Sequence, residues 1–103
     1  MVGLGIGKRL KEMPEPMNFD VELTEEAERQ YDALDDKIVV RINIAIEQII
    51  ENPFFGIHII KLEGKLQGQY RYRVGNYRII YNVDKKKRIV TISGILQRGR
   101  SYR

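Results

Sequence analysis

Hydrophobic spacing divides the chain into two regimes that meet at Asn52-Pro53. In "MNFDVELT", Phe19, Val21 and Leu23 alternate with Asp20 and Glu22, the period of a half-buried strand. Thr24 follows as a helix N-cap, with Glu25 and Glu26 in the first turn, where the helix dipole favours acids. Ala27, Tyr31 and Leu34 then recur at helical spacing. Asp35 is a second N-cap, and Ile38, Ile42, Ile46 and Ile49 form a stripe that Val39, Ala45 and Ile50 widen. Asn52-Pro53 ends this helix. The short connection predicts an antiparallel helical hairpin. Beyond Pro53 the period changes to that of strands. "IHIIKLEG" is a short strand with a turn, residues 69–74 and 77–83 are two strands around Gly75-Asn76, and residues 88–96 are a last strand entered through a charged turn.

The predicted order is β-α-α-β-β-β, an α+β fold with an antiparallel sheet packed on a helical hairpin. Gly75-Asn76 suits a primed two-residue turn. That register pairs Val74 with Tyr77, Arg73 with Arg78, Tyr72 with Ile79 and Arg71 with Ile80. Opposed residues share a face. One face therefore carries Tyr70, Tyr72, Val74, Tyr77, Ile79 and Tyr81 and meets the isoleucine stripe. The other, open face carries Arg71, Arg73 and Arg78. The tyrosines read as packing rather than as a base-stacking platform.

Residues 1–16 read as a flexible tail, loosened by Gly3, Gly5 and Gly7 and interrupted by Pro14 and Pro16, ahead of one domain over 17–103. "GLGIGK" lacks the preceding strand and the spacing of a phosphate loop. The start has neither the basic opening nor the long apolar middle of a signal peptide, and no apolar run is long enough for a membrane span. Cysteine is absent, which excludes disulfides and thiolate chemistry and fits a cytoplasmic setting. A transition-metal site is not expected from one histidine and no cysteine. Charge sharpens the picture. The formal net charge is +4, but residues 1–60 hold six basic against twelve acidic groups, and residues 61–103 hold twelve against two. A basic half on a small domain is the footprint of a polyanion-binding surface, either for nucleic acid or for an acidic protein.

Arg73 opposite Arg78 is a like-charge cross-strand pair, which destabilises a bare hairpin. No acidic residue lies within 64–83 to relieve it. A sheet built only for stability gains from Thr, Glu or Val at these positions, so the pattern points to function. The guanidinium fork suits phosphate.

These residues carry a family resemblance. "KLEGKLQGQYRYRVGNYRIIYNVD", followed by "ISGILQRGRSYR", resembles the RelE/ParE superfamily of toxins from type II toxin–antitoxin pairs, over residues 17–103. The resemblance implies a RelE-like fold. It implies a ribosome-dependent endoribonuclease that cleaves mRNA in the A site by attack of the 2′-OH on the adjacent phosphate, without metal or cofactor. By position it assigns Arg71 and Arg73 to the basic residues of the third strand and Arg78 to the arginine of the fourth. Arg98 follows the last strand, and Tyr102 is the near-terminal tyrosine. Lys61, Lys65 and Arg100 are added as substrate contacts. Some relatives carry lysines where this chain has Arg71 and Arg73. Arginine is a poor general base, so the arginines are cast as charge stabilisers and Tyr102 as base or stacking group. The implied partners are a cognate antitoxin, covering Arg71, Arg73 and Arg78 or displacing a C-terminal element, and the ribosome with its mRNA.

Two other readings stay open. One is a ParE-like toxin that poisons DNA gyrase by protein contact. The other is a non-catalytic basic module that binds an antitoxin or nucleic acid. His58 reads as a strand or loop residue, the acids of the first helix as a solvated face. Lys85 to Arg88 reads as a solvated turn, with ribosomal RNA contact as its sharper alternative.

Overall fold

The structure, a computed structural model, describes residues 19–98. The segment 1–16, Arg100 and Tyr102 lie outside the described residues. The chain runs β1 (Asp20–Leu23), α1 (Glu25–Asp32), α2 (Asp36–Glu51), β2 (Ile59–Lys61), a 3-10 turn (Gly64–Leu66), β3 (Gln69–Val74), β4 (Tyr77–Asp84) and β5 (Ile89–Gln97). No helix among the described residues is long and apolar enough to cross a membrane.

The helix starts form as the caps dictate. The Thr24 hydroxyl accepts from the Ala27 N–H at 3.2 Å, and Asp35 Oδ1 accepts from the Ile38 N–H at 3.0 Å. Asn52 closes α2, and its side-chain oxygen accepts from the N–H groups of Phe54 and Phe55. Pro53 is fully buried behind it.

The five strands form one sheet in the order β1-β5-β4-β3-β2. Its three hairpin-linked pairings are antiparallel, as the sequence predicts. The β1–β5 pairing is parallel, with Val21 opposite Val90 and Leu23 opposite Ile92. This makes the sheet mixed rather than wholly antiparallel. The three hairpin-linked pairings make β5 antiparallel to β2, so β1, parallel to β5, runs antiparallel to β2 at the other edge. With both flanks of β4 and β3 taken, an outer edge is the only place left for β1.

The core lies between the helices and one sheet face. Ile42, Ala45 and Ile49 of α2 pack with Tyr72, Ile79, Tyr81, Val90, Ile92 and Ile95. Tyr81 is fully buried, and its hydroxyl donates to the Pro53 carbonyl at 2.7 Å, which satisfies its polar end. The Tyr72 hydroxyl hydrogen-bonds Gln48 Oε1 of α2. At the far end, the exposed turn 85–88 closes with the Lys87 N–H donating to Asp84 Oδ1. Arg88 takes a left-handed φ of 58° there, and its guanidinium lies over the Phe19 ring at 4.4 Å.

Candidate functional site

The β3–β4 register places Arg73 opposite Arg78 and Arg71 opposite Ile80, as the turn at Gly75-Asn76 requires. Gly75 alone takes a positive φ, 57°, and Asn76 does not. This is a primed turn with glycine at its first central position. Pairing continues across the sheet, with Ile60 opposite Arg71, Gly94 opposite Ile80 and Leu96 opposite Arg78. These residues share the face turned away from the helices. The arginines thus sit among aliphatic side chains: Ile80, opposite Arg71 as the register predicts, and Ile60 and Leu96, which the sequence reading had not placed with them.

Burial follows from that setting. Arg71 and Arg78 are half-buried and Arg73 is exposed. The Arg71 Nε is buried and has no hydrogen-bond partner among the described residues. A buried donor left unpaired costs about 1–3 kcal/mol, a penalty that an incoming anion's oxygen would remove.

Acids do reach this face, but at its other end. Alternation along β4 carries Arg78, Ile80, Asn82 and Asp84 on one side, and the β1–β5–β4 register sets Glu22 level with Asn82 and Asp20 level with Asp84. Asp84 lies six positions beyond Arg78, a span of roughly 20 Å at strand rise. The face is therefore cationic at the Gly75 turn, and its acids lie at the opposite end, next to the basic turn 85–88.

Arg98 joins the cationic end. It follows Leu96 by two residues, and its N–H donates to the Asn76 carbonyl at 2.6 Å, fixing it beside the turn between Arg73 and Arg78. Lys61 does not join it. The residue is opposite Tyr70 on the edge strand, on the helix side of the sheet. Lys65 is exposed in the 3-10 turn outside the sheet. Tyr102 and Arg100 are outside the described residues, so the assigned base is not seen.

Neither Tyr81 nor Tyr72 suits a base. Burial pushes the Tyr81 phenol well above its ordinary value, with Tyr70 and Tyr72 adding to it, and burial raises Tyr72 as well. His58 is exposed and its ring packs beside that of Tyr72 on the helix side, at 5.4 Å between centroids, away from the Arg71–Arg78 face.

One basic residue was missed by sequence reasoning. Arg41 of α2 lies against the same turn: a Cβ on Gly75 would meet its Nη2 at 2.7 Å. It borders a cleft of 320 Å³ with Ile44, Gln48, His58, Tyr72 and Arg73. A signal existed, since its neighbours at helical spacing, Lys37, Ile38, Ile44 and Ala45, include no acid.

With this geometry in place, comparison with known proteins adds a family. The model described as the ParE toxin of the type II toxin–antitoxin system parDE matches residues 21–102. Among solved structures, the chain is similar to the RelBE2 toxin–antitoxin complex of Mycobacterium tuberculosis, with a TM-score of 0.70 and 24% identity, covering 79% of this chain and 99% of that one. It is similar to the archaeal RelE–RelB complex of Pyrococcus horikoshii, at 0.69 and 27%, covering 81% and 98%. The YoeB–YefM complex of Staphylococcus aureus is similar at 0.65 and 26%, covering 76% and 94%. Among curated proteins none matches at a significant level.

Proposed function

Because the chain belongs to the ParE toxin family of type II toxin–antitoxin systems, we propose that it is a toxin that cleaves mRNA on the ribosome and is held in check by a cognate antitoxin. The observation that carries this reading is the arginine row on the open face, with the Arg71 Nε buried and lacking an acceptor among the described residues. A half-buried guanidinium aimed by flanking aliphatic side chains is preorganised for a phosphate oxygen and costs little to orient on binding.

The reaction assigned to this face is internal phosphoryl transfer. The mRNA 2′-oxygen forms a bond to the adjacent phosphorus, the 5′-oxygen bond breaks, and a 2′,3′-cyclic phosphate remains. Charge builds on the non-bridging oxygens as the transition state forms. Arg71, Arg73 and Arg78 stabilise that charge, and Arg98 closes the site from the β5 end. None of the four accepts the 2′-OH proton, because arginine keeps its own. Tyr102 takes that role in this reading, and the departing 5′-oxygen takes a proton from water to leave as a 5′-OH. Lys61 and Lys65 are reserved for outlying substrate contacts, along with Arg100. The reaction takes place in the cytoplasm, where the ribosome is.

A second reading is favoured by the family description itself, which names ParE. In it the same basic surface meets DNA gyrase and no RNA is cut. A pulse of expression without antitoxin separates the two. The first reading expects translation to stop before replication, with mRNA cut inside translated frames. Replication arrest with gyrase-linked DNA breaks and intact mRNA would establish the second.

A further inference from the structure

The cleft beside Gly75 meets the arginine row only at Arg73, and the rest of its lining has no part in the reaction assigned to the open face. Its helix wall is Arg41, Ile44, Ala45 and Gln48, and its sheet wall includes His58 and Tyr72. No carboxylate lines it. Arg41 is exposed and forms no ion pair with another described residue, and the positions one helical turn to either side of it offer no acid. The cleft is a cationic concavity with no internal counter-charge.

Its surroundings are aliphatic. Val40 and Ile44 are 57% and 52% exposed, one turn apart on α2, and Ile57, beside His58, is 94% exposed. Clustered exposed aliphatic residues next to a polar cleft mark a protein contact rather than a nucleic-acid one, since RNA backbone has nothing apolar to set against them.

The walls are held in place without any ligand. The Tyr72 hydroxyl is bonded to Gln48, His58 packs on Tyr72, and the missing Cβ of Gly75 lets the Arg41 guanidinium lie against the turn. A preset cleft spends little free energy on ordering when it binds.

We infer that this cleft docks an acidic amphipathic segment of a protein partner, with a carboxylate on Arg41 and aliphatic side chains on Val40 and Ile44. The inference rests on the reading that the chain works with an antitoxin, and it locates that partner on α2 rather than over the arginine row. Arg71 and Arg78 face away from the helices, so this contact leaves their side of the sheet uncovered.

The test uses the full chain and the protein encoded by the neighbouring reading frame, purified by co-expression and rejoined in a binding titration. Arg41→Glu and Ile44→Ser should each weaken that complex by about tenfold or more, because Arg and buried aliphatic anchors carry interface energy. Both sites are exposed, so the melting temperature should hold, as should toxicity of the free chain. Arg71→Gln should leave the complex intact. Wild-type binding with unchanged affinity in both variants would overturn the inference alone. Loss of ribosome binding in Arg41→Glu with the protein complex unaffected would also overturn it, and would assign the cleft to RNA. A wild-type chain that binds no such protein would overturn the inference together with the antitoxin reading.

Discussion

The two faces of the sheet obey the same alternation and spend it differently. On the helix side Tyr72, Ile79, Tyr81, Val90, Ile92 and Ile95 form the core, and the buried Tyr81 and Tyr72 hydroxyls are hydrogen-bonded, to the Pro53 carbonyl and to Gln48. On the open side the row nearest the Gly75 turn carries two arginines opposite one another, and the Arg71 Nε lacks an acceptor among the described residues. The first face is explained by folding alone. The second is not, and that contrast is what supports a ligand for it.

Breaking the covered face should cost the most. Tyr81→Ala removes a fully buried ring and its hydrogen bond, so urea unfolding should show a loss of about 3–5 kcal/mol. On the open face the order inverts, with large effects on activity and small ones on stability. Arg71→Gln should lower single-turnover cleavage on ribosomes by about 10²–10³-fold, the usual range for one donor to a developing charge. Its melting temperature should barely move.

Gly75→Ala probes where the two regions meet. It forces an L side chain into a left-handed φ and pushes Arg41 aside, and should destabilise by about 1–2 kcal/mol in thermal unfolding. Alkaline pH probes the covered face again. The Tyr81 and Tyr72 phenols are raised in the fold, so the unfolded chain loses these protons first, near pH 10. Stability should therefore hold below about pH 10 and fall as pH rises above it. Tyr81→Phe should flatten that fall.

The smallest effect is the most informative about the open face. Arg73→Gln, at the exposed member of the like-charge pair, relieves that repulsion, so stability should stay level or rise by a few tenths of a kcal/mol. A loss above about 1 kcal/mol, outside the usual surface range, would mean that Arg73 stabilises the fold.

Much of this contrast could be read before any coordinates. Period-two and period-3.6 spacing placed the strands and helices, because inward positions must be apolar. Gly75-Asn76 set the hairpin register, because so short a turn permits one pairing. The parallel partner of β1 was not legible, since edge pairing depends on which flanks remain free. Nor was the placing of Ile60 and Leu96 among the arginines, which needs the registers of β2 and β5. Arg41 was hidden for the same reason: helix spacing shows that it lacks an acid, but only the packing of α2 on the turn shows what it touches.

The most direct measurement takes ribosomes stalled on a defined mRNA, adds the purified chain, and reads the ends of any fragments. The account predicts a cut at the A-site codon that leaves a 2′,3′-cyclic phosphate, and sharp loss of cutting in Arg71→Gln. A free 3′-OH at the cut would contradict the 2′-OH mechanism, and intact mRNA at saturating toxin would contradict the central claim.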